Sequence, residues 1–326
     1  MYIPQLKFSL WADFIERDYL DTEFKTLVND GVINGATSNP AIFKDAILKS
    51  PAYKEQLATL KDLSPKEKYE AVAIFDIQKA ADVLRPLFDR GDDGYVSIEV
   101  DPHLCDDAEA TIAEGKRLFE SIGRPNVMIK VPATDAGYVA MEALVSAKIP
   151  VNATLIFSQD QARSCADAFE RGAEKAGSAV ATVISVFVSR IDRALDATLR
   201  KKNLPTALAG IYNAAAIYNL IEAKSVSGCR TLFASTGVKG DDLEPSYYVD
   251  ELLALNSVNT APIATIKAFM KSDARSAALP ISQENIKLLM QQISDAGVDF
   301  DAVIQQQIVD GLKAFKVAFN EIMEAL

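Results

Sequence analysis

Histidine is nearly absent from this sequence, and its scarcity narrows the chemistry that the chain can perform. His103 is the only histidine among 326 residues, so a Ser-His-Asp or Cys-His mechanism would have to use it. It follows Asp101-Pro102 in a stretch predicted to be a loop after a strand, where a surface or turn histidine is the simpler interpretation. Proton transfer near neutral pH is therefore expected to depend on carboxylates and water.

Cysteine is also scarce. Cys105, Cys165 and Cys229 are widely separated and odd in number, which argues against a disulfide framework and against a cysteine-based metal site. We therefore expect a reducing, cytoplasmic setting. In that setting the sequon-like NAT at 152–154 is not a glycosylation signal.

Long basic runs and long apolar runs are both missing. The chain has 34 Lys and Arg against 45 Asp and Glu, a net charge of -11, so neither nucleic acid nor a membrane surface is expected as a partner. No apolar stretch reaches the length that spans a bilayer, and the first residues lack the pattern of a secretory signal. A small anionic substrate remains compatible, because a local group of Arg and Lys can bind phosphate inside an acidic protein.

Eight short apolar runs alternate with amphipathic segments of helical period along the chain. The predicted strands are 8–13, 33–36, 95–100, 127–134, 149–156, 179–187, 230–235 and 257–261. The predicted helices are 18–30, 41–48, 51–60, 65–88, 106–122, 135–147, 158–176, 189–200, 205–224, 262–272 and much of 283–325.

This alternation predicts parallel pairing with right-handed crossovers, and eight units favour an α/β fold of the (β/α)8 TIM-barrel type with additional helices. A doubly wound open sheet is the main alternative, but neither G-x-G-x-x-G nor G-x-x-x-x-G-K-[ST] occurs. No linker divides the chain, so we predict one domain, 1–326. The C-terminal helical region, with Phe300, Phe315 and Phe319, could cover the barrel mouth or pack outside it.

The segment VMIKVPAT (127–134) is unusual because it places a lysine among aliphatic strand residues. An ammonium in such surroundings loses hydration, which favours the neutral amine, and a neutral amine can attack a ketone to form a Schiff base. The alternative is that Lys130 lies at the strand end and extends to water. This stretch alone does not distinguish a nucleophile from a surface lysine.

Polar residues recur at the carboxyl ends of the other predicted strands, where catalytic groups lie in barrels of this type. They are Asp13, Thr37, Asn39, Glu99, Asn152, Thr154, Ser185 and Ser235. Singly, each has a structural explanation, such as a helix cap for Asp13 or an ion pair with Lys130 for Glu99. Together with one lysine, the two carboxylates form a metal-free set for carbonyl chemistry, so the functional interpretation is preferred.

Phosphate binding has candidates after the sixth and seventh strands. Arg190 lies just beyond the sixth strand, and STGVKG (235–240) forms a short loop after the seventh. Loops near the last strands of such barrels often bind phosphate, and glycine lets backbone N–H groups approach an oxyanion. An ordinary glycine-containing turn explains the loop equally well.

Four motifs then resemble a known family. GATSNPAIF (35–43) and IKVPATDAGY (129–138) look like the two transaldolase signatures, the second of which contains the Schiff-base lysine. VNATLIFS (151–158) and SVFVSRI (185–191) match further blocks of the transaldolase family in the same order. The resemblance covers nearly the whole chain.

The resemblance implies a class I aldolase-type barrel that requires neither metal nor organic cofactor. It implies transfer of a dihydroxyacetone unit from sedoheptulose 7-phosphate to glyceraldehyde 3-phosphate, giving erythrose 4-phosphate and fructose 6-phosphate, within the pentose phosphate pathway. By analogy Lys130 is the nucleophile, Asp13 takes the C4 hydroxyl proton, and Glu99 with Thr154 relays protons during dehydration. The implied substrate-binding residues are Thr37, Asn39, Asn152, Ser185 and Phe187, and the implied phosphate-binding residues are Arg190 and Ser235.

One position departs from the family pattern. Its best-known members place an arginine shortly after the serine that matches Ser235, whereas this chain has Thr236, Gly237 and Val238 before Lys239. Lys239 is therefore assigned to the phosphate as a point charge rather than a bidentate group. A monomer and a homodimer are both compatible with the sequence.

Two rival functions remain. Fructose 6-phosphate aldolases are shorter relatives that typically have Gln and Tyr where this chain has Glu99 and Phe187, so a tyrosine able to help protonate the bound carbanion is missing. A sugar-phosphate binding protein without catalysis would require the loss of a catalytic group, but Asp13, Glu99 and Lys130 are all present.

Overall fold

The computed structural model describes all residues, 1–326, and its eight strands pair in parallel and in chain order to close a barrel. The strands are β1 (Ser9–Ala12), β2 (Gly35–Thr37), β3 (Tyr95–Glu99), β4 (Val127–Pro132), β5 (Val151–Ile156), β6 (Thr182–Phe187), β7 (Cys229–Ala234) and β8 (Ser257–Ala261). Pairing of β1 with β8 closes the barrel. The predicted (β/α)8 barrel is confirmed, and the open sheet is excluded.

Fourteen α-helices surround or cover this barrel. They are α1 (Arg17–Asp21), α2 (Glu23–Asn29), α3 (Pro40–Lys49), α4 (Lys54–Thr59), α5 (Pro65–Asp89), α6 (Ala108–Ile122), α7 (Asp135–Ser146), α8 (Gln159–Ala176), α9 (Ser189–Lys201), α10 (Ala209–Lys224), α11 (Tyr247–Asp250), α12 (Ile263–Phe269), α13 (Gln283–Asp295) and α14 (Phe300–Ala325). None of them combines the length and the apolar character needed to cross a membrane.

Two helical predictions were too long. The segment 18–30 forms two helices because the backbone at Thr22 leaves the helical region, with ψ near -95°. The segment 283–325 is likewise interrupted, since Gly297 adopts a left-handed φ of 74° and Asp299 begins a new helix by accepting the Ala302 N–H. The four-residue helix α11 was not predicted.

Side-chain alternation along β4 separates two apolar regions. Val127, Ile129 and Val131 face outward into a cluster of 72 buried residues between the barrel and the helices. Met128 faces inward and belongs to a separate cluster of 17 buried residues. Lys130 lies on the same inward face, because residues two apart on a strand share a face.

Trp11 fills the centre of the barrel and requires a glycine opposite it. Its indole lies where a side chain at Gly35 would have to be, since a Cβ there would come within 2.6 Å of the ring. The indole N–H donates to Asp93 at 2.9 Å, and Arg230 also donates to Asp93 at 3.0 Å. Trp11 and the largely buried ion pair between Asp93 and Arg230 therefore close the amino-terminal end of the barrel, which we call the floor.

The C-terminal helix α14 crosses the other end of the barrel, the mouth, which decides between the two placements left open by the sequence. Phe315 lines the cavity at the mouth. Phe319 packs edge-on against Tyr69 of α5. Phe300 lies elsewhere, in a groove that also contains Ile286 and Met290 of α13.

Candidate active site

A cavity of about 110 Å³ lies at the carboxyl ends of the strands, beneath α14. Its lining residues are Asp13, Thr37, Asn39, Lys130, Thr154, Ser185, Phe187, Arg190, Ala234, Ser235, Thr260 and Phe315. The structure thus brings together most of the residues predicted from the strand ends. Glu99 and Asn152 lie immediately behind this lining, against Lys130 and Ser185 respectively.

Lys130 is buried and does not extend to bulk water. Its Nζ donates to the carbonyl oxygen of Ser38 at 3.0 Å and lies 3.3 Å from Oε2 of Glu99. Only 5% of the lysine side chain and 3% of the glutamate side chain are exposed. The ring of Phe315 lies 5.6 Å from Nζ and covers it from the mouth. A buried lysine held between a carbonyl and a carboxylate can exchange a proton with that carboxylate.

Glu99 holds its proton more tightly than an ordinary glutamate does. Burial raises its pKa from 4.5 to about 7, an effect that the charge of Lys130 partly opposes. Neither carboxylate oxygen has a well-aligned hydrogen bond, and the buried hydroxyl of Thr154 also lacks a partner. Near neutral pH a carboxyl group of this kind can act as either an acid or a base.

Asp13 lies on the other side of the cavity and follows β1. Oδ1 of Asp13 accepts a 2.7 Å hydrogen bond from the hydroxyl of Thr37. Burial raises the pKa of Asp13, whereas the charge of Lys130, the Thr37 hydrogen bond and the charge of Arg190 lower it. The site therefore contains two carboxylates in different surroundings, as separate acid and base roles require.

Asn152 is fixed across the barrel by two serines. Its Nδ2 donates to Oγ of Ser97 at 3.0 Å, and its Oδ1 accepts from Oγ of Ser185 at 2.6 Å. Asn39 lines the cavity, but its side-chain oxygen also accepts the N–H of Ile42 and caps α3. Asn39 therefore has a structural role as a helix cap, and its place in the cavity allows a second role.

Arg190 extends from the first turn of α9 over the ring of Phe187, with 4.9 Å between the guanidinium carbon and the ring centroid. Burial lowers its pKa, and Arg193 lowers it further, whereas Asp13 and Asp310 act on it only as distant charges. Ser235 has a left-handed φ of 55°, and its Oγ lies 3.1 Å from that of Ser189. A guanidinium without a carboxylate partner and a nearby hydroxyl suit an anion.

Lys239 is the one predicted site residue that the structure does not bring to this cavity. It lines a separate cavity of about 180 Å³, together with Arg193 and Arg200. Ser235 lines the mouth cavity and Lys239 does not, so the lysine does not take the place of the family's arginine there.

Three residues that complete the site were not predicted: Ser38, Ser97 and Thr260. Ser97 and Thr260 had a usable signal, because each is a polar residue on the inward face of a predicted strand. Phe315 was named as a residue that could cover the mouth, but its position above Lys130 depends on where α14 crosses the barrel. Ser38 contributes only its backbone carbonyl, which no side-chain pattern reveals.

A larger cavity lacks this combination of groups. An open groove of about 790 Å³ beside α10 and α13 is larger, but it contains Arg163, Asp160, Asp299 and Asp301 and no lysine. No group of three or more His, Cys, Asp or Glu side chains has the arrangement of a metal site.

Comparison with known proteins gives one consistent result. The family model described as Transaldolase/Fructose-6-phosphate aldolase matches residues 10–326. A protein named transaldolase from Campylobacter jejuni (strain RM1221) is 46% identical, over 98% of this chain and 99% of its own length. A protein named transaldolase from Helicobacter pylori (strain Shi470) is 43% identical over the same shares.

Proposed function

The chain belongs to the transaldolase/fructose-6-phosphate aldolase family and is an enzyme that transfers a ketone-containing unit. From this membership and the geometry of the site, we propose a specific reaction. The proposed reaction is reversible transfer of dihydroxyacetone from sedoheptulose 7-phosphate to glyceraldehyde 3-phosphate. Its products are erythrose 4-phosphate and fructose 6-phosphate. The observation that carries this proposal is the buried Lys130–Glu99 pair, 3.3 Å apart, beside a cavity that Asp13 also lines.

The first step joins the ketose to Lys130. Proton transfer from the ammonium to Glu99 leaves a neutral amine, which attacks the C2 carbonyl while the carbonyl oxygen takes up that proton. The nitrogen then returns a proton to Glu99, and Glu99 delivers it to the carbinolamine hydroxyl, which leaves as water. The iminium ion and the Glu99 carboxylate remain. The unpaired hydroxyl of Thr154 is available to orient the departing water.

The second step breaks the C3–C4 bond. Asp13 takes the proton of the C4 hydroxyl, the C4–O bond becomes an aldehyde, and the electrons of the C3–C4 bond move into the iminium to give an enamine. An incoming aldehyde is attacked by C3 of this enamine, and Asp13 returns its proton to the new hydroxyl. Hydrolysis of the resulting Schiff base releases the new ketose and restores Lys130.

Binding is assigned to the remaining polar residues of the cavity. Thr37, Asn39 and Ser185 would hold the hydroxyls of the dihydroxyacetone unit together with Asn152, which lies behind Ser185, and Phe187 would pack beside the unit. Arg190 and Ser235 would bind the phosphate, because they offer a guanidinium and a hydroxyl at the same side of the cavity. Lys239 lines another cavity and is not assigned to the phosphate.

Several broader features belong to the same proposal. Residues 1–326 would form one domain around one barrel, act on phosphorylated sugars and need neither metal nor organic cofactor. The enzyme would work in the cytoplasm, in the non-oxidative part of the pentose phosphate pathway. No nucleic acid or membrane partner is proposed.

Reductive trapping tests the Schiff base directly. Borohydride treatment in the presence of fructose 6-phosphate should add one reduced dihydroxyacetone unit to the intact mass of the wild type. Lys130→Ala should show no adduct, whereas Lys116→Ala, at an exposed position on α6, should be labelled like the wild type. An unlabelled wild type, or undiminished labelling of Lys130→Ala, would exclude this mechanism.

Acceptor dependence separates transferase from aldolase. With fructose 6-phosphate as donor, consumption should require erythrose 4-phosphate, because Phe187 has no hydroxyl with which to help protonate the enamine. Equal consumption with and without the acceptor would favour an aldolase of the same family.

A further inference from the structure

Thr260 is a buried cavity residue to which no role in the proposed reaction has been given. It lies on β8 opposite Trp11 of β1 and faces the interior of the barrel. Its Oγ1 lies 2.6 Å from Oγ1 of Thr37, which is hydrogen-bonded to Asp13. Thr260 therefore contacts Thr37, the residue that is hydrogen-bonded to Asp13, the proposed base of the cleavage step.

The number of protons sets the direction of these two hydrogen bonds. A hydroxyl has a single proton to donate and two lone pairs to accept with. Because Thr37 donates its proton to the Asp13 carboxylate at 2.7 Å, it cannot also donate to Thr260. Thr260 must therefore donate to Thr37, and the two hydroxyls form a directed chain that ends on the carboxylate.

The hydrogen bond from Thr37 is the only one that a side chain makes to the carboxylate of Asp13, whose other influences are burial and charge. Lys130 of β4 and Arg190 of α9 attract it, and Glu99 of β3 repels it. Charges act without strict geometry, whereas a hydrogen bond fixes the orientation of an oxygen. The orientation of Asp13 thus depends on Thr37, and that of the Thr37 hydroxyl on Thr260.

We propose that Thr260 is a positioning residue for carbon–carbon bond cleavage, which acts on Asp13 through the hydroxyl of Thr37. This inference rests on the proposed function, because it assumes that Asp13 is the base. Hydroxyls in a chain polarise one another, so a donor behind Thr37 strengthens its bond to the carboxylate. The ionised form of Asp13, which accepts the C4 proton, is stabilised and pointed toward the cavity.

The backbone around Thr260 is held firmly enough for this role. The Thr236 hydroxyl lies 3.0 Å from the Thr260 carbonyl oxygen and 2.8 Å from Oδ1 of Asn259. On the other side, the N–H of Asp13 donates to the carbonyl oxygen of Ala261 at 2.9 Å. These hydrogen bonds therefore fix the distance between Thr260 and Asp13 across the paired strands β8 and β1.

Thr260→Val tests this role, because valine keeps the shape of threonine and removes only the hydroxyl. Thr260→Ser keeps the hydroxyl. Thr231→Val is a matched control in the adjacent strand β7, where the buried threonine hydroxyl has no hydrogen-bond partner. All three are measured with fructose 6-phosphate and erythrose 4-phosphate across a range of pH, together with the rate of borohydride-trappable Schiff-base formation.

In Thr260→Val we expect kcat to fall by about three- to tenfold, the effect of losing one net hydrogen bond, with KM little changed. The acid-side decline of kcat should move to higher pH, because Asp13 must be ionised and loses support for its charge. Schiff-base formation, which does not use Asp13, should keep its wild-type rate. Thr260→Ser should recover most of kcat, and Thr231→Val should match the wild type.

Three results would overturn the inference. The first is a Thr260→Val enzyme with the kcat and pH profile of the wild type. The second is a Thr260→Val enzyme in which Schiff-base formation and cleavage are slowed equally. The third is a double variant in which the effects of Thr37→Val and Thr260→Val on kcat are fully additive. If Thr260 acts through Thr37, the double variant should instead behave like Thr37→Val alone. A wild type that forms no Schiff base would exclude the proposed function itself, a result distinct from these three.

Discussion

Glu99 and Lys130 stabilise and perturb each other at the level of single residues. Burying one unpaired charge is costly, so a lysine and a glutamate buried together are expected to be adjacent. Here the carboxyl group still has a pKa near 7 because desolvation outweighs the attraction of the lysine. Glu99 can therefore take up or release a proton near neutral pH.

Replacement of Glu99 tests its role as proton donor. Glu99→Gln should slow Schiff-base formation by about 10²- to 10⁴-fold, the usual contribution of a positioned acid or base. In the wild type the same rate should rise as the pH increases through about 7, because Glu99 must be ionised to take the first proton from Lys130. Rapid mixing with borohydride quenching at several pH values measures both effects.

The pH dependence of stability provides a control for this variant. The pKa of Glu99 is higher in the folded protein than its ordinary value of 4.5. The protonated side chain therefore adds to the free energy of unfolding in full below about pH 4.5, and this stabilisation is lost as the pH rises through 7. Glu99→Gln cannot titrate, so its Tm should fall less than that of the wild type between pH 5 and pH 8. An identical decline in both proteins would contradict the raised pKa.

At the scale of secondary-structure elements, the signature motifs combine chemistry with helix capping. Thr134 accepts the N–H of Gly137 and begins α7 directly after the lysine strand. A Cβ at Gly137 would lie 2.0 Å from the carbonyl oxygen of Pro132, so only glycine fits this turn. Ser158 forms a capping box with Gln161 at the start of α8. Several motif residues are therefore explained by turn geometry rather than by substrate contact.

Helix α14 has a different function, because it covers the mouth instead of packing against the barrel wall. His103 bonds to Asn320 at 2.7 Å, and Lys44 pairs with Glu321 at 2.8 Å, so its second half is anchored to surrounding segments. Gly311 lets the helix approach the site closely, since a Cβ there would lie 3.0 Å from the Leu155 side chain. The helix thereby holds Phe315 above Lys130.

Phe315 is expected to keep water away from the covalent intermediate. Phe315→Ala should increase acceptor-independent release of dihydroxyacetone relative to acceptor-dependent transfer, because the enlarged opening admits water to the enamine. We also expect a loss of about 3 to 5 kcal/mol of stability from the deleted ring. Product analysis with and without erythrose 4-phosphate measures the ratio of the two reactions.

Val317→Ala is the matched control, since Val317 lies on the same helix but is 46% exposed. It should leave the ratio unchanged. A Phe315→Ala enzyme with the wild-type ratio would show that the ring contributes to packing alone.

At the scale of the whole molecule, the barrel separates stability at its floor from chemistry at its mouth, as barrels of this type generally do. Asp93 joins β1 and β7 across the floor through Trp11 and Arg230. Arg230 also donates to the carbonyl oxygen of Ser257 at 2.9 Å. This buried network contains none of the residues that line the mouth cavity.

Asp93→Asn should therefore lower stability without changing catalysis. Asparagine tolerates the left-handed φ of 68° at this position, but it leaves the charge of Arg230 unbalanced. We expect a loss of about 3 kcal/mol, seen as a lower Tm, with kcat unchanged at temperatures where the variant is folded. Calorimetry and steady-state kinetics on the same sample check this, and a large fall in kcat at 25 °C would contradict the separation.

The alternation of strands and helices and the position of Lys130 on a strand follow from the sequence alone. Period-two alternation is a local property, so it places Lys130 on the face of β4 opposite Ile129, and Glu99 on the face of β3 opposite Ile98, before any contact is known. The eight strand–helix units restricted the topology to a barrel or an open sheet. The polar strand ends then identified most of the residues that line the cavity.

Contacts between distant segments were decided only by the tertiary structure. Thr37 and Thr260 are 223 positions apart and meet because β1 pairs with both β2 and β8 when the barrel closes. Phe315 reaches Lys130 because α14 crosses the mouth, and Lys239 misses the site because its loop turns away. Closure and helix placement depend on the packing of the whole molecule, and no local pattern in the chain specifies them.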